Sequence, residues 1–414
     1  MHIPVAVILI GLLVFLAHAL DDLFARTRVP DVLLLLGLGL LLGPVSGLVR
    51  PEHFGAVGPV FTTLTLVVIL FEGGLGLELR TLGRALGGAT ALTVWNFLLS
   101  LAVLAPLARL CLGFGWMQAF TLAAILGGTS SAVVIPLVQR LALGERTRTA
   151  LALESALSDV LVIVVALGLM AAQAQGELHL RALLGGMGAS FLVSALLGAA
   201  AGLAWALLLE RMRGLQKSLL TTPAYVLVAY GLVELLGFSG AITALALGVT
   251  LGNAEALPLG PLRPRALALA GPTETERALF AELSFLLKSF FFVYVGLSIR
   301  LGGAALVWTG LALTAAVFLL RIPVVHASLR PASVPRPDAL AAGAMTAKGL
   351  AAAAVASVPL QMGLPGGREL QLTVFAVVLF SILATSLLVF LEGRGWLAWA
   401  GRLLYGRYRE DPPA

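Results

Sequence analysis

The feature that most limits what this chain can fold into is a near-unbroken series of apolar runs, each about 20 residues long and cut by short polar, proline or glycine stretches. Runs of that length match the thickness of a bilayer core. A backbone in lipid must also pair its own N–H and C=O groups, which an α-helix does within one segment. At 59% hydrophobic and 12% charged residues, with a mean hydropathy of +1.01, the chain does not have the composition of a soluble globule. The expected fold class is an all-α polytopic membrane protein.

Cutting at the punctuation gives thirteen segments: 3–20, 29–49, 55–72, 86–111, 117–141, 147–174, 182–210, 219–236, 240–255, 278–299, 303–328, 337–361 and 370–393. Residues Met1 to Leu20 lack a basic n-region and run on into further apolar segments, so they read as the first crossing rather than a removable signal peptide. The single cysteine, Cys111, excludes an intrachain disulfide framework and a multi-cysteine metal site. The five histidines, His2, His18, His53, His179 and His326, show no ligand spacing, so no metal centre or other cofactor is expected.

A net charge of +6 looks like a nucleic-acid signal only until the charges are placed, and then it reports orientation. Of the 27 basic residues, Lys288, Arg321 and Lys348 fall inside segments, and only Arg50, Arg109, Arg181, Arg300 and Arg368 fall in one set of alternate loops. All the others lie in the opposite set. This asymmetry predicts thirteen helices in a cell membrane, with the N-terminus outside and the C-terminus in the cytoplasm. The expected surroundings are a lipid bilayer, with no nucleic-acid partner. The tail from Arg394 to Arg409 mixes Trp, Leu, Tyr and Arg, as a short interfacial helix on the inner leaflet would.

Two segments are interrupted at matching depth. Segment 117–141 carries Gly127-Gly128-Thr129-Ser130-Ser131 about twelve residues in, which at about 1.5 Å per residue is near the bilayer midplane. Segment 337–361 runs the other way and carries Met345-Thr346-Ala347-Lys348-Gly349 about ten residues in. Paired interruptions in segments of opposite direction predict inverted repeats with crossed, discontinuous helices, spans 4–6 matching 11–13. No residue-level repeat is evident, so this symmetry rests on topology and breaks. Thr129, Ser130, Thr346 and freed carbonyls become candidates to meet a cation, because irregular backbone at this depth is tolerated where it lines a cavity.

Segment 147–174 carries two carboxylates, Glu154 and Asp159, and a charge at bilayer depth costs at least about 2.5 kcal/mol unless it is used. Asp159 lies about twelve residues in, level with Thr129. Ser155 and Asp159 are four apart and share a helix face, while Glu154 and Ser158 share an adjoining one. Asp159, Ser155 and Thr129 are therefore expected to form a hard-oxygen site for Na⁺, K⁺ or Li⁺, with Glu154 and Ser158 as supports. Burial favours the protonated carboxyl and a nearby cation favours the carboxylate, so proton and metal ion would compete for Asp159.

The remaining buried charges need partners. Lys348 is expected to pair with Glu154, which would leave Asp159 to carry the proton. Lys288 is expected to form a structural ion pair with Glu72, with Glu282 as competitor, and Arg321 to snorkel to the cytoplasmic interface. Glu234, beside a short turn, reads as solvated.

With these residues in place the chain resembles the monovalent cation/proton antiporter superfamily, which includes the bacterial and archaeal sodium/proton antiporters and the animal sodium/proton exchangers. Leu70-Phe71-Glu72-Gly73-Gly74-Leu75 is similar to the segment closing the family's third span, Thr129-Ser130-Ser131 to its crossover in the fifth, and Phe290-Phe291-Phe292 to Gly296-Leu297 to its tenth. Glu154-Ser155 with Asp159 resembles the Glu-Ser…Asn-Asp pattern of the electroneutral branch. The resemblance implies that Thr129, Ser155 and Asp159 ligate the ion, with Glu154 assisting through its side chain or a water. It also implies a homodimer in which residues 1–80 and 215–300 are scaffold, 81–175 and 301–393 form a core that slides as an elevator, 176–214 is a linker helix and 394–414 a basic cytoplasmic tail.

The chain departs from that pattern at Ser158, where the branch has Asn, at Ser130, where it often has Asp, and at Lys348, where it often has Arg. The last two features are those of the potassium-efflux and electrogenic branches. The electrogenic branch carries two adjacent aspartates and this chain one, so electroneutral exchange of one monovalent cation for one proton is expected. The alternatives are a potassium/proton efflux transporter and a cation channel of the same fold. An intramembrane hydrolase would need a second catalytic carboxylate, a Ser/His pair or a zinc motif at this depth, and the sequence places only Asp159 there, so no enzyme is expected.

Overall fold

A computed structural model of the chain describes residues 3–27, 31–49, 54, 57–76, 88–141, 143–175, 180–212, 219–254, 271–299 and 304–410. Of the basic residues used above, Arg28, Arg50, Arg80, Arg84, Arg213, Lys217, Arg263, Arg265 and Arg300 lie outside the described residues, as do His2, His53 and His179.

The described residues fold into helices: α1 (Ile3–Thr27), α2 (Asp31–Leu40), α3 (Val57–Leu75), α4 (Gly88–Leu112), α5 (Trp116–Leu126), α6 (Ser131–Arg140), α7 (Glu145–Gln175), α8 (Leu180–Met212), α9 (Thr221–Leu235), α10 (Gly240–Gly252), α11 (Glu274–Ser298), α12 (Ala304–Ser328), α13 (Arg336–Ala344), α14 (Leu350–Ala356), α15 (Val358–Gln361), α16 (Gly367–Gly393) and α17 (Ala398–Tyr405). Seven helical stretches among them are long and apolar enough to cross a membrane, and six shorter apolar helices accompany these. They lie on the segments read from the sequence. The one β feature among the described residues is an isolated parallel bridge between Pro335 and Arg409.

Helix α2 runs on into a wider turn over Leu41–Val45 that contains Pro44. Pro44 has no N–H to return to the preceding turn, and the ladder loosens to a longer reach in which Ser46 N–H donates to Leu41 O at 3.0 Å.

The chain divides into two compact units. One unit comprises Pro59–Arg84 and Ala171–Lys288. Its core gathers Val67, Phe71 and Leu75 of α3, Trp205 and Ala206 of α8, Val226 and Ala229 of α9, Leu247 and Leu251 of α10, and Phe280 of α11. Trp205 stacks on Tyr225 at 4.3 Å and donates its indole N–H to Thr222 Oγ1 at 2.9 Å, which gives the polar edge of a buried aromatic its partner. Helices α3 and α10 touch backbone to backbone, because a Cβ on Gly248 would collide with the carbonyl oxygen of Phe71. In the same unit Lys288 Nζ lies 3.8 Å from Glu72 Oε2, with both side chains about 30% exposed.

The other unit comprises Met1–Gly58, Ala85–Met170 and Ser289–Ala414. Helix α4 packs on α5 and α12, and α12 packs on α16. Segment 117–141 is split into α5 and α6 by an unwound stretch at 127–130, and segment 337–361 into α13, a non-helical stretch at 345–349, and α14 with α15. The tail folds into α17, whose Gly401 and Tyr405 face inward. His326 of α12 stacks on Tyr405 at 5.3 Å and meets Tyr408 edge-on at 5.5 Å. Burial pushes the Tyr405 phenol up to about 12, so this ring stays neutral at physiological pH.

Candidate functional site

The two helix breaks touch. Ser130 N–H donates to Ala347 O at 2.8 Å and Lys348 Nζ donates to Gly128 O at 2.6 Å. Gly349 is required at the contact, since a Cβ there would run into Ser130 Cβ and Oγ. Gly128 allows a second close approach, because its Cβ would lie 2.5 Å from Val162 Cγ2 on α7.

An unwound backbone at this depth has to find partners other than water. Asn96 of α4 donates to Gly127 O at 2.7 Å, Lys348 takes Gly128 O, and Ser158 Oγ donates to Thr129 O at 3.2 Å. Val134 N–H closes on Ser130 O at 2.8 Å as α6 begins. The carbonyls of Gly127, Gly128 and Thr129 thus each accept one hydrogen bond, which leaves each a second lone pair. At the second break Lys348 N–H donates to Ser381 Oγ at 2.9 Å and Thr385 Oγ1 donates to Ala344 O at 3.0 Å, both from α16. Thr346 Oγ1 is fully buried and has no hydrogen-bond partner among the described residues.

Of the candidate site residues, Thr129, Ser130, Glu154, Ser155, Ser158, Asp159, Thr346 and Lys348 lie on or beside the two breaks, and Glu72 and Lys288 pair in the other unit. The contacts at the breaks differ from those inferred from depth. Asp159 Oδ2 accepts the hydroxyl of Ser131 at 2.5 Å and its N–H at 3.4 Å. Thr129 was expected beside Asp159, but it meets Ser158 through N–H to Oγ at 3.0 Å and Oγ1 to Oγ at 3.2 Å. Ser155 turns its hydroxyl back onto Ala152 O at 2.9 Å, and its own carbonyl lies 3.1 Å from Ser158 Oγ, sharing that hydroxyl's one proton with Thr129 O.

The charge pairing needs a larger correction. Glu154 does not pair with Lys348. Arg321 takes both its carboxylate oxygens, with Nη2 to Oε2 at 2.6 Å and Nη1 on Oε1. Nor does Arg321 snorkel. Its side chain is 0% exposed, that of Glu154 is 1%, and Arg321 Nε donates to Ala342 O at 2.9 Å in the last turn of α13. The planar guanidinium fork matches a carboxylate edge while keeping a third N–H for a carbonyl, which an ammonium cannot do in one plane. Glu154 lies about nine residues from the start of α7 and Arg321 about seven from the end of α12, so matching depths from that side would have found the pair. Ser131 stood in the Thr129-Ser130-Ser131 motif without being assigned a contact, and Asn96, Ser381 and Thr385 carried no comparable signal.

The arrangement is a carboxylate held at the start of a resumed helix, where two broken helices meet, next to a neutralised Glu–Arg pair. The sequence matches the model of the sodium/hydrogen exchanger, transmembrane, family over residues 10–392. The chain belongs to that family, a multi-pass membrane family of cation/proton antiporters rather than enzymes. It is similar to the K(+)/H(+) antiporter NhaP2 of Shewanella sp. (strain ANA-3), 26% identical over 386 residues that make up 91% of this chain and 64% of that protein. The chain therefore spans less than two thirds of the length of such relatives. Similarity to sodium/hydrogen exchanger 7 of Arabidopsis thaliana is more local, 27% identity over 39% of this chain and 15% of that one. The fold is similar to that of the sodium proton antiporter MjNhaP1 from Methanocaldococcus jannaschii at pH 8, with a TM-score of 0.71 at 20% identity, covering 93% of this chain and all of that one.

Proposed function

We propose that this chain is a secondary active antiporter that exchanges a monovalent cation for H⁺, with the two competing for Asp159. The observation that carries the reading is the position of Asp159, bonded to Ser131 at the contact of two helix breaks. Thr129, Ser155 and Ser158 supply hard oxygens nearby, Thr346 Oγ1 is a buried hydroxyl in need of a partner, and Ser130 and Lys348 support the crossing. The carboxylate of Glu154 is matched by Arg321 and serves as a support.

The larger frame of the proposal is thirteen crossings in inverted repeats, N-terminus outside and C-terminus in the cytoplasm of the plasma membrane. A homodimer scaffold built from residues 1–80 and 215–300 would carry cores of 81–175 and 301–393, joined by 176–214, that move as elevators. Crossed breaks in segments of opposite direction support it. Exchange would be one cation per proton, because one aspartate stands where two would be needed to carry net charge.

The cation is Na⁺, K⁺ or Li⁺, all served by oxygen ligands. Potassium has specific support in the name of the relatives at 26% identity, and sodium in that of the structural neighbour at 20%. Proteoliposomes containing a pH dye, challenged with each cation in turn, test the proposal with wild type and Asp159→Asn. Undiminished exchange by the variant overturns the role of Asp159, and flux that neither saturates nor needs a counter-gradient identifies a channel instead.

A further inference from the structure

The last described helix, α17, has two faces. Gly401 packs near Leu340 and Arg336, Tyr405 stacks on His326, and Tyr408 donates its hydroxyl to Leu329 O at 3.1 Å and Val325 O at 3.2 Å. Arg336 N–H donates to Arg409 O at 2.6 Å and its side chain pairs with Glu410 at 2.7 Å, so the segment is fastened at its far end as well. Its other face carries Trp399 and Leu403, which are 65% and 75% exposed, and Trp396, 60% exposed, lies in the turn just before the helix. Trp399 and Leu403 are four residues apart and share one helix face, and with Trp396 they make an exposed apolar stripe of the tail.

We propose that this stripe, with Arg394, Arg402 and Arg407, is a binding surface for the anionic phospholipid leaflet in which α16 ends. Two observations select lipid as the occupant. The first is continuity: Leu383, Leu387 and Phe390 are exposed along the membrane-crossing α16, and the Arg394 guanidinium lies 4.4 Å from the Phe390 ring and 5.6 Å from that of Trp396. One cation thus links the lipid-facing surface of α16 to the first residue of the stripe. The second is charge: Arg394, Arg402 and Arg407 are exposed, while the acidic Glu410 is engaged by Arg336. Aromatic rings at headgroup level beside basic side chains suit an interfacial helix, and each Arg near an anionic surface raises the bound-to-unbound ratio about fivefold.

The test uses the full chain in nanodiscs and is independent of transport. Cys111→Ser removes the single thiol, and Leu403→Cys provides an exposed position for a polarity-sensitive fluorophore. In anionic phospholipid the label is expected to be quenched by a nitroxide lipid and protected from aqueous iodide. Arg→Gln changes at 394, 402 and 407 are each expected to lower the bound-to-unbound ratio about fivefold, as zwitterionic lipid does in one step. Iodide quenching alone overturns the proposal by showing a solvated face. Protection from both quenchers overturns it in favour of a protein partner or a second copy. Lipid quenching indifferent to headgroup charge and to the three arginines overturns the recognition of anionic lipid.

Discussion

Arg321 grips Glu154 through both terminal nitrogens of its guanidinium, on side chains that are 0% and 1% exposed. Removing one partner leaves a buried charge with no counter-charge, at a cost of about 3–5 kcal/mol. Arg321→Ala and Glu154→Ala should each lower the thermal midpoint of the detergent-solubilised protein sharply. The double change to Met at 321 and Leu at 154 should recover most of that loss. A midpoint unmoved by either single change would contradict the pairing.

Lys348 is expected to act in holding the crossing, through its bond to Gly128 O. Lys348→Met should cost about 1–3 kcal/mol for the buried carbonyl left unpaired, while cation-dependent proton flux persists at a reduced rate. Flux abolished at unchanged stability would instead make Lys348 the proton carrier.

At the contact of the breaks, Gly349→Ala should drive a methyl group into Ser130 and destabilise the fold by about 1–3 kcal/mol. Ser130→Gly removes both colliding atoms and should restore part of the stability of the alanine variant. Additive losses in the double variant, measured by the same unfolding assay, would mean that the two residues do not meet.

Competition for one carboxylate predicts that each cation bound displaces about one proton. Calorimetry of cation binding in buffers of different ionisation enthalpy should read this release in wild type and lose it in Asp159→Asn. A release that persists in the variant would assign the proton to another group.

The pair of Lys288 and Glu72 offers a contrast, being 3.8 Å apart and partly exposed. Glu72→Gln should change stability by less than about 1 kcal/mol and leave exchange intact. A large loss of flux would move this pair from scaffold to ion path.

The positions of the helices and of both breaks were legible in the sequence, because apolar length and clusters such as Gly127-Gly128-Thr129 are local signals. Partners were legible only to the precision of depth. Thr129 and Asp159 both lie at the crossing, yet Asp159 meets Ser131 and Thr129 meets Ser158. Arg321 failed for a different reason: its long side chain permits either snorkelling or burial, and the choice depends on a carboxylate 167 positions away. Lys348 was assigned to Glu154 by charge alone, and geometry gave that carboxylate to the residue able to fill both its oxygens.

The four carbonyls from Gly127 to Ser130 already accept hydrogen bonds from Asn96, Lys348, Ser158 and Val134. A carbonyl oxygen carries two lone pairs, so those of Gly127, Gly128 and Thr129 each keep a site through which they could meet a dehydrated ion. The donor that such an ion would disturb most is the one whose positive charge it repels, Lys348 on Gly128. An arriving cation would therefore loosen the crossing at the point where Lys348 holds it, which ties occupancy to the contact between the two breaks.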